Sequence, residues 1–328
     1  MKQLIMDGPK KSHVIDVDIP KIGDNQLLVK VLYSGLCHSE WYPWSVAECG
    51  QTFGHETMGV VADKGANVKN FKIGDRVTGL GGGGHKEYIV MEPEKTFVVP
   101  DNISDKDAIG EPLGCLMSIS ERVDSNRTGD TIVIVGAGYM GLGLISLFKA
   151  KGYLNVIVVD EREIALKNAK RYGADEVYLP SQLPPSFKLN WESWKSPDLK
   201  RDGHLVDIFN IGFQNVVEIT GTQTGLNLAG EMVCAHGNLG IAGFHNDALR
   251  TVDFKLWGMK AMTMYNCHER RISYEATLVK KALDMISKDI WKFKDTVTHL
   301  YDLSEFDMAN YDMKNHTDNY IKGAISFV

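Results

Sequence analysis

The segment that most strongly determines the architecture reads Ile132-Val133-Ile134-Val135-Gly136-Ala137-Gly138-Tyr139-Met140-Gly141. Four apolar β-forming residues lead into a Gly-x-Gly-x-x-Gly pattern that opens a predicted helix, a context typical of dinucleotide binding. Gly136 permits the tight turn, Gly138 lets a pyrophosphate approach the backbone, and Gly141 lets the helix pack on the sheet. We therefore predict that Gly136, Gly138, Tyr139, Met140 and Gly141 bind a dinucleotide. An unrelated glycine-rich turn is the alternative.

The acidic residue Asp160 bears on which dinucleotide binds. It follows the apolar pair Val158-Val159 and lies 19 residues after Gly141. A carboxylate at this position can accept hydrogen bonds from ribose hydroxyls, and it repels a 2′-phosphate. Arg162 could in principle receive such a phosphate, but the presence of Asp160 favours NAD over NADP. Arg162 is then expected to flank the adenine or to be solvated.

Composition limits the class of protein. A chain of 328 residues predicts about two domains. The net charge of −6 argues against nucleic-acid binding. There is no apolar run of about 20 residues and no apolar leader, so we expect neither a membrane partner nor a signal peptide. The five cysteines are scattered and form no CxxC pair, which favours a reducing cytoplasm over a disulfide framework.

The hydrophobic pattern changes along the chain. Residues 1–112 read as short strands separated by glycine-rich turns, as in an all-β barrel. Residues 113–262 alternate between strand and helix, which predicts a doubly wound parallel sheet. The remainder, 263–328, contains a helix and a closing strand that we expect to return to the first domain. The predicted fold class is therefore α/β with a separate β-barrel domain.

One segment departs from this pattern. Pro180–Leu205 contains four prolines, with Trp191 and Trp194 between charged residues. Prolines at this density disfavour regular structure. The segment is either a surface excursion of the second domain or a subunit contact anchored by its tryptophans.

Metal-binding residue types recur in the first domain. Cys37 follows a predicted strand, the pair His55-Glu56 comes 18 residues later, and Glu111 lies just before the second domain. A thiolate, an imidazole and carboxylates suit zinc, and a catalytic zinc needs three protein ligands and one open position. Each residue alone is weak evidence, because a single cysteine at a strand end is more often part of the core.

Taken together, these motifs resemble the medium-chain zinc-dependent alcohol and polyol dehydrogenases over nearly the whole chain. The resemblance implies a GroES-like β-barrel catalytic domain, completed by the C-terminus, and a Rossmann NAD-binding domain. It also implies a homodimer or homotetramer that acts on a small-molecule alcohol or polyol. The matching segments are Gly35–Ser39, Gly54–Glu56, Gly74–Val77, Glu111–Leu113, Gly136–Gly141 and Tyr320–Phe327.

The resemblance also implies roles for individual residues. Cys37 and His55 correspond to catalytic zinc ligands, and Glu111 stands at the third ligand position. A glutamate at this position resembles the sorbitol and threonine dehydrogenase branch. In that branch the residue that corresponds to Glu56 can also reach the metal. Both glutamates therefore remain candidates. Cys115 is interpreted as a packed thiol.

Further family positions concern proton transfer and the cofactor. Ser39 matches the residue that accepts the alcohol proton. The proton could then pass to Tyr42, to water or to a cofactor ribose. Lys322 stands where the family places a basic residue on the cofactor pyrophosphate; an ordinary solvated lysine is the alternative. Trp41, Tyr42 and Trp44 either shape the substrate cleft or pack in the core.

One departure from the family concerns zinc content. Most zinc-containing members carry a lobe with four cysteines that binds a second, structural zinc. In this chain the glycine run Gly81–Gly84 leads directly to His85 and the next strand. We therefore predict one catalytic zinc per chain and no structural zinc. We expect His85 to lie at the surface, and an approach of His85 to the cleft is the alternative.

The leading hypothesis is a zinc-dependent oxidoreductase that transfers hydride between a secondary alcohol and NAD. The glutamate-type ligand set favours a polyol, sugar or amino-polyol as the substrate. One alternative is a zinc-free quinone or enoyl reductase of the same superfold, and another is a non-catalytic nucleotide-binding structural protein.

Overall fold

The computed structural model describes residues 1–81, 83–192, 200–201, 204–205 and 211–328. These form two compact units, one of Met1–Met117 with Glu269–Val328 and one of Ser118–His268. The divisions fall at other residues than the expected 112 and 262. The first lies inside a helix that begins at Gly110. The second follows a strand, Thr263–Asn266, that pairs within the second unit.

Strands and helices follow one another along both units. In chain order, the strands are β1 (Lys2–Gly8), β2 (Lys11–Asp16), β3 (Leu27–Gly35), β4 (Glu56–Lys64), β5 (Arg76–Gly79), β6 (Tyr88–Met91), β7 (Thr96–Val98), β8 (Thr131–Val135), β9 (Asn155–Val159), β10 (Glu176–Tyr178), β11 (Lys200–Arg201), β12 (His204–Leu205), β13 (Phe213–Glu218), β14 (Val233–Ile241), β15 (Thr263–Asn266), β16 (Val297–Tyr301) and β17 (Lys322–Ser326). The helices are α1 (Trp41–Ser45), α2 (Gly110–Ser125), α3 (Tyr139–Ala150), α4 (Glu163–Arg171), α5 (Gln223–Met232), α6 (Phe254–Met259), α7 (Ile272–Ser287) and α8 (Phe306–Asn315).

The first unit is built on a mostly antiparallel sheet. Its strand order is β16-β17-β3-β4-β5-β7, and β6 pairs with β3. The C-terminal strand β17 pairs antiparallel with β3, so the end of the chain completes the N-terminal sheet. The alternating residues Leu27, Val29 and Val31 of β3 are buried in the hydrophobic core of this unit. This arrangement puts the end of β3 and the start of β4, where Cys37, His55 and Glu56 lie, beside the start of β17, which carries Lys322.

The second unit contains a parallel sheet with the order β10-β9-β8-β13-β14-β15. Every pairing in it is parallel. The order reverses direction between β8 and β13, and ligands of such sheets bind at the carboxyl ends of the strands beside this switch point. The predicted dinucleotide loop follows β8, one of the two strands at this point. The predicted α/β fold class is confirmed.

The proline-rich segment is partly described. Short 3₁₀ turns occupy Pro180–Gln182 and Pro185–Phe187. Trp191 packs against the core of the second unit, and the Lys255 ammonium lies 4.7 Å from its ring centroid. Trp194 lies outside the described residues, so the expected subunit contact stays a prediction. Within the described ranges, no helix is long and apolar enough to cross a membrane.

Candidate metal centre and dinucleotide site

Three side chains of types that can bind a metal ion meet in the first unit. Donor atoms of Cys37, His55 and Glu56 all lie within 4.8 Å of one another. The sheet explains this meeting, because β3 and β4 are antiparallel and Gly35, near the end of β3, pairs with Glu56, the first residue of β4. Residues that follow one strand and begin the other are therefore neighbours in space. The grouping offers one sulfur, one imidazole nitrogen and one carboxylate oxygen.

A second carboxylate orients the imidazole. Oε1 of Glu40 lies 2.8 Å from Nδ1 of His55 and accepts a hydrogen bond of 2.8 Å from the Gly54 amide. Because a carboxylate only accepts, Nδ1 of His55 is the protonated nitrogen and Nε2 keeps a lone pair for a metal. Burial opposes a charge on His55, but hydrogen bonds to Cys37 and Glu40 raise its pKa to about 12. A metal ion would displace the proton shared with Cys37.

The carboxylate of Glu56 is buried beside a lysine. Nζ of Lys322 donates a hydrogen bond of 2.7 Å to Oε1 of Glu56 and lies 2.5 Å from Oε2. Both side chains are nearly inaccessible to solvent. Oε2 of Glu56 is in ion-pair contact with the same ammonium, although no donor among the described residues is aligned to form a hydrogen bond with it. Burial disfavours the Lys322 ammonium, whereas Glu56 and Cys37 raise its pKa.

Glu111 belongs to a different cluster from the other candidate ligands. Its carboxylate groups with Cys115 and Glu275, with donor atoms within 4.8 Å of one another. The Cys115 thiol lies 3.1 Å from Oε1 of Glu275 and 3.5 Å from Oε1 of Glu111. Burial and the carboxylates of Glu56 and Glu275 raise the pKa of Glu111 to about 7. Cys115 is therefore a hydrogen-bonded thiol between two carboxylates, not simply the packed thiol that was expected.

The residues around Cys37 divide between two roles. Oγ of Ser39 lies 3.1 Å from Sγ of Cys37, so this hydroxyl is adjacent to a candidate metal ligand. Trp44 is fully buried in the core of the unit, and its indole N–H donates to Asp307 at 2.8 Å. Tyr42 is exposed, and Trp41 is partly buried. Trp44 is thus a core residue, and Trp41 and Tyr42 remain candidates for contact with a substrate.

The expectation that His85 lies at the surface is wrong. Its side chain is completely buried, with the ring centroid 4.9 Å from that of Phe306. The backbone explains this placement: the His85 amide donates to the Phe53 carbonyl at 2.6 Å, and the Gly84 amide donates to the Gly54 carbonyl at 2.9 Å. These bonds hold the segment against the loop that precedes β4.

In the second unit, the loop after β8 has the shape that its glycines predict. A Cβ on Gly141 would lie 2.1 Å from the Gly136 carbonyl oxygen, so helix α3 is packed closely against the turn. A Cβ on Gly138 would meet nothing within 4 Å, so this face of the loop is open. Tyr139 and Met140 form the first turn of α3, which has no side-chain cap at its N-terminus. An open backbone face at an uncapped helix start fits a phosphate group.

Asp160 occupies the position expected for a ribose-binding carboxylate, but it already has protein partners. Its Oδ2 accepts a hydrogen bond of 2.8 Å from the Ala137 amide, and its Oδ1 accepts one of 2.9 Å from the Arg162 amide. The Arg162 guanidinium also pairs with it, at 3.1 Å between Nε and Oδ1. Arg162 is therefore an ion-pair partner of Asp160 and not a solvated side chain. Asp160 anchors the loop that contains Ala137.

Lys322 also differs from both of its expected environments. The alternative of a solvated lysine is wrong, because the ammonium is buried against Glu56. The expected contact with a cofactor pyrophosphate remains a prediction. In the structure the Lys322 charge compensates a carboxylate of the metal cluster.

Sequence reasoning missed three polar residues of this region. Glu40 directly follows the cysteine motif and was assigned no role, Glu275 was not singled out, and His85 was expected at the surface. The spacing of Glu40 and His55 carries a usable signal, because a carboxylate near a metal-ligating histidine often fixes its tautomer. Glu275 comes from helix α7, far along the chain, and no local pattern connects it with Cys115.

Comparison with known proteins is consistent with this architecture. Residues 23–101, which include Cys37, His55 and Glu56, match the family model of the alcohol dehydrogenase GroES-like domain. The chain is 24% identical to the L-threonine 3-dehydrogenase of Chromobacterium violaceum over 90% of each chain. It is 25% identical to a protein named "Probable D-xylulose reductase A" from Arthroderma otae, over 94% of this chain and 93% of that one. Over most of its length the chain is therefore similar to dehydrogenases that act on threonine or xylulose, and its residues 23–101 match the alcohol dehydrogenase GroES-like domain.

The fold of the chain is also found among solved structures. An alcohol dehydrogenase from Escherichia coli CFT073, complexed with NADH, superposes with a TM-score of 0.80 at 21% identity. The match covers 100% of this chain and 99% of that chain. The family resemblance expected from the sequence motifs is therefore confirmed for both the GroES-like domain and the overall fold.

Proposed function

We propose that this dehydrogenase oxidises a secondary alcohol of a polyol, sugar or amino-polyol with NAD and one catalytic zinc ion. The observation that carries the proposal is the grouping of Cys37, His55 and Glu56, whose donor atoms all lie within 4.8 Å of one another. This donor set suits zinc, because thiolate, imidazole and carboxylate are its usual ligands. The parallel sheet with its glycine loop supports the cofactor assignment.

Cys37, His55 and Glu56 are the proposed resting ligands. The grouping of donor atoms supports Glu56 over Glu111 as the third ligand, because Glu111 clusters with Cys115 and Glu275 instead. Glu111 lies close enough to Glu56 for their charges to interact, which supports a role in the outer part of the site. One zinc per chain remains the proposed stoichiometry.

The chain's own residues orient the reactants and handle the proton. When bound, zinc supplies a Lewis acid that lowers the pKa of a substrate hydroxyl, and NAD supplies the hydride acceptor. Glu40 fixes the tautomer of His55. Oγ of Ser39, beside Cys37, would accept the hydroxyl proton while passing its own proton on to water, Tyr42 or a cofactor ribose, since a hydroxyl can both accept and donate. Lys322 balances the charge of Glu56.

Cofactor binding is assigned to the second unit. Gly136, Gly138 and Gly141 shape the phosphate loop, with Tyr139 and Met140 at the helix start. Asp160 is the proposed ribose partner and Arg162 its neighbour. For it to bind a ribose, Asp160 must accept hydrogen bonds in addition to those from Ala137 and Arg162, or exchange one of them. A carboxylate at this position supports NAD over NADP.

The proposal extends to the assembly and its setting. We propose a homodimer or homotetramer formed through the edge of the second unit's sheet, where β15 is the outer strand. A net charge of −6 supports a small-molecule partner over a nucleic acid. The cytoplasm is the proposed location, since its reducing conditions suit five free cysteines.

The test is an activity screen with two matched cysteine variants. The purified protein is assayed with NAD and with NADP against secondary alcohols, polyols, sugars and amino-polyols. We expect NAD reduction by at least one of these substrates, loss of activity in Cys37→Ser, and retained activity in Cys115→Ser. Full activity of Cys37→Ser would contradict the zinc mechanism. Reduction of quinones or enones would favour the zinc-free reductase, and NAD binding without any turnover would favour a structural protein.

A further inference from the structure

A buried histidine stands behind the Glu40–His55 pair. Nδ1 of His85 lies 2.8 Å from Oγ of Ser34, and its Nε2 lies 3.7 Å from Oε2 of Glu40. The His85 side chain is completely buried, and its Nε2 has no hydrogen-bond partner among the described residues. Burying an imidazole nitrogen without a hydrogen-bond partner costs free energy. An orientation toward the Glu40 carboxylate reduces this cost.

The two oxygens of Glu40 face the two histidines. Oε1 is shared between Nδ1 of His55 and the Gly54 amide, and Oε2 faces His85. Because the carboxylate only accepts, a proton on Nε2 of His85 is the arrangement that lets the ring pair with Oε2 of Glu40, and Nδ1 of His85 then accepts from Ser34. The order Ser34–His85–Glu40–His55 therefore runs from the core of the sheet to the metal cluster.

Backbone contacts hold this order in place. Besides the two bonds to the loop before β4, the His85 carbonyl accepts a hydrogen bond of 3.0 Å from the Leu4 amide. A Cβ on Gly54 would lie 2.7 Å from the His85 amide nitrogen, so the two segments approach as closely as glycine allows. His85 thus has a fixed position relative to His55, although 30 residues separate them in sequence.

We propose that His85 is a positioning residue for the metal ligand His55 and that it acts through Glu40. By facing Oε2, the His85 N–H keeps the carboxylate in the rotation that presents Oε1 to His55. His55 then directs its Nε2 toward Cys37 and the metal. The inference rests on the proposed zinc site, and it assigns part of the support of that site to the segment that follows the glycine run.

The test measures zinc affinity in variants that separate the two nitrogens of His85. His85→Phe keeps a ring but removes both nitrogens, His85→Gln can keep a donor near the position of Nε2, and His85→Asn keeps polarity only near Nδ1. Zinc dissociation constants are measured by competition with a chromophoric chelator, and thermal unfolding of the metal-free proteins serves as the fold control. His13→Phe, at an exposed histidine of β2, is the matched control.

We expect His85→Phe and His85→Asn to weaken zinc binding roughly ten-fold, as loss of an outer partner of a metal-ligating histidine typically does. His85→Gln should restore most of the affinity, and His13→Phe should bind zinc like the wild type. If His85→Phe does not fold, the zinc affinities of His85→Asn and His85→Gln are compared instead and test the same proposal. Equal affinity in His85→Asn, His85→Gln and the wild type would overturn the proposal.

A double-mutant cycle tests the route through Glu40. Glu40→Gln should weaken zinc binding, and adding His85→Asn to it should cause little further loss, because the pathway is already broken. Equal losses in the two backgrounds would overturn the assigned route. A wild-type protein that binds no zinc would contradict the proposed function itself, and this outcome is distinguishable because it precedes any variant.

Discussion

Nζ of Lys322 lies 2.7 Å from Oε1 of Glu56, and the two buried side chains join the last strand of the first unit's sheet to the candidate metal cluster. Removing one member of a buried ion pair leaves the other charge uncompensated. The metal-free protein therefore depends on Lys322 to tolerate a carboxylate in its interior. A zinc ion bound to Glu56 would also compensate the negative charge of this carboxylate.

Lys322→Met should consequently destabilise the metal-free protein by about 3 kcal/mol. Lys322→Arg, which keeps a cation, should cost less. Zinc should recover part of the loss in Lys322→Met, because binding to the folded state alone stabilises it. Urea unfolding of both variants, with and without zinc, measures this. A Lys322→Met protein as stable as the wild type without metal would show that the pair contributes nothing.

Two glycine substitutions in the loop of the second unit should have different effects, one on NAD binding and the other on stability. Gly138→Ala places a methyl group in open space, so unfolding stability should change by no more than about 0.5 kcal/mol. The same methyl group would obstruct a pyrophosphate, so the affinity for NAD should fall at least about ten-fold. Gly141→Ala instead meets the Gly136 carbonyl and should destabilise the protein by roughly 1–3 kcal/mol.

Thermal unfolding and NAD titration of these two glycine variants are compared side by side. Unchanged NAD affinity in Gly138→Ala would contradict the assignment of this loop to the cofactor phosphates. Equal stability of the two variants would contradict the close packing of α3 against the turn.

The discrimination between NAD and NADP is expected to depend on the charge of Asp160. Asp160→Gly should weaken NAD and relax the preference against NADP, but it also removes the acceptor of the Ala137 amide. Asp160→Asn is the better variant, because it can keep an acceptor for the loop and lacks the charge. Its NADP-to-NAD affinity ratio should rise. A ratio equal to that of the wild type, measured by fluorescence titration, would defeat the assignment.

The raised pKa of Glu111 predicts a pH dependence of stability. A carboxyl group whose pKa is higher folded than unfolded binds more protons in the folded state between the two values. Its stabilising contribution is present below the unfolded pKa of about 4.5 and is lost as pH rises through about 7. Metal-free protein should therefore lose stability between pH 5 and pH 8, by up to about 3 kcal/mol from this group.

Glu111→Gln isolates this contribution, because it removes the titration while keeping the shape of the side chain. The difference in unfolding free energy between the wild type and Glu111→Gln should shrink or reverse as the pH rises from 5 to 8. A constant difference across that range would show that Glu111 titrates as an ordinary carboxyl group.

The sequence predicts the parts of this molecule that depend on local patterns. The Gly136–Gly141 loop lies at the end of a buried strand because its glycines and the apolar run before them specify that turn. Asp160 directly follows the next strand, β9, because the apolar run before it specifies that strand. Cys37 and His55 were identifiable because they belong to short motifs at the ends of adjoining strands.

The remaining features depend on contacts between distant residues. Lys322 is 266 positions from Glu56 and Glu275 is 160 positions from Cys115, and no periodicity relates such pairs. His85 was misplaced because a histidine after a glycine run is usually exposed. The burial of its ring depends on Phe306 and on the backbone bonds to the loop before β4. Tertiary packing therefore decided where these polar side chains lie.

The most direct test of the account is the zinc content per chain of wild-type protein and two cysteine variants. Elemental analysis is done on proteins purified without chelators or a metal-binding tag. We predict about one zinc per chain in the wild type and in Cys115→Ser, and close to none in Cys37→Ser. Zinc-free wild-type protein, or equal zinc in Cys37→Ser and the wild type, would contradict the metal centre proposed at Cys37, His55 and Glu56.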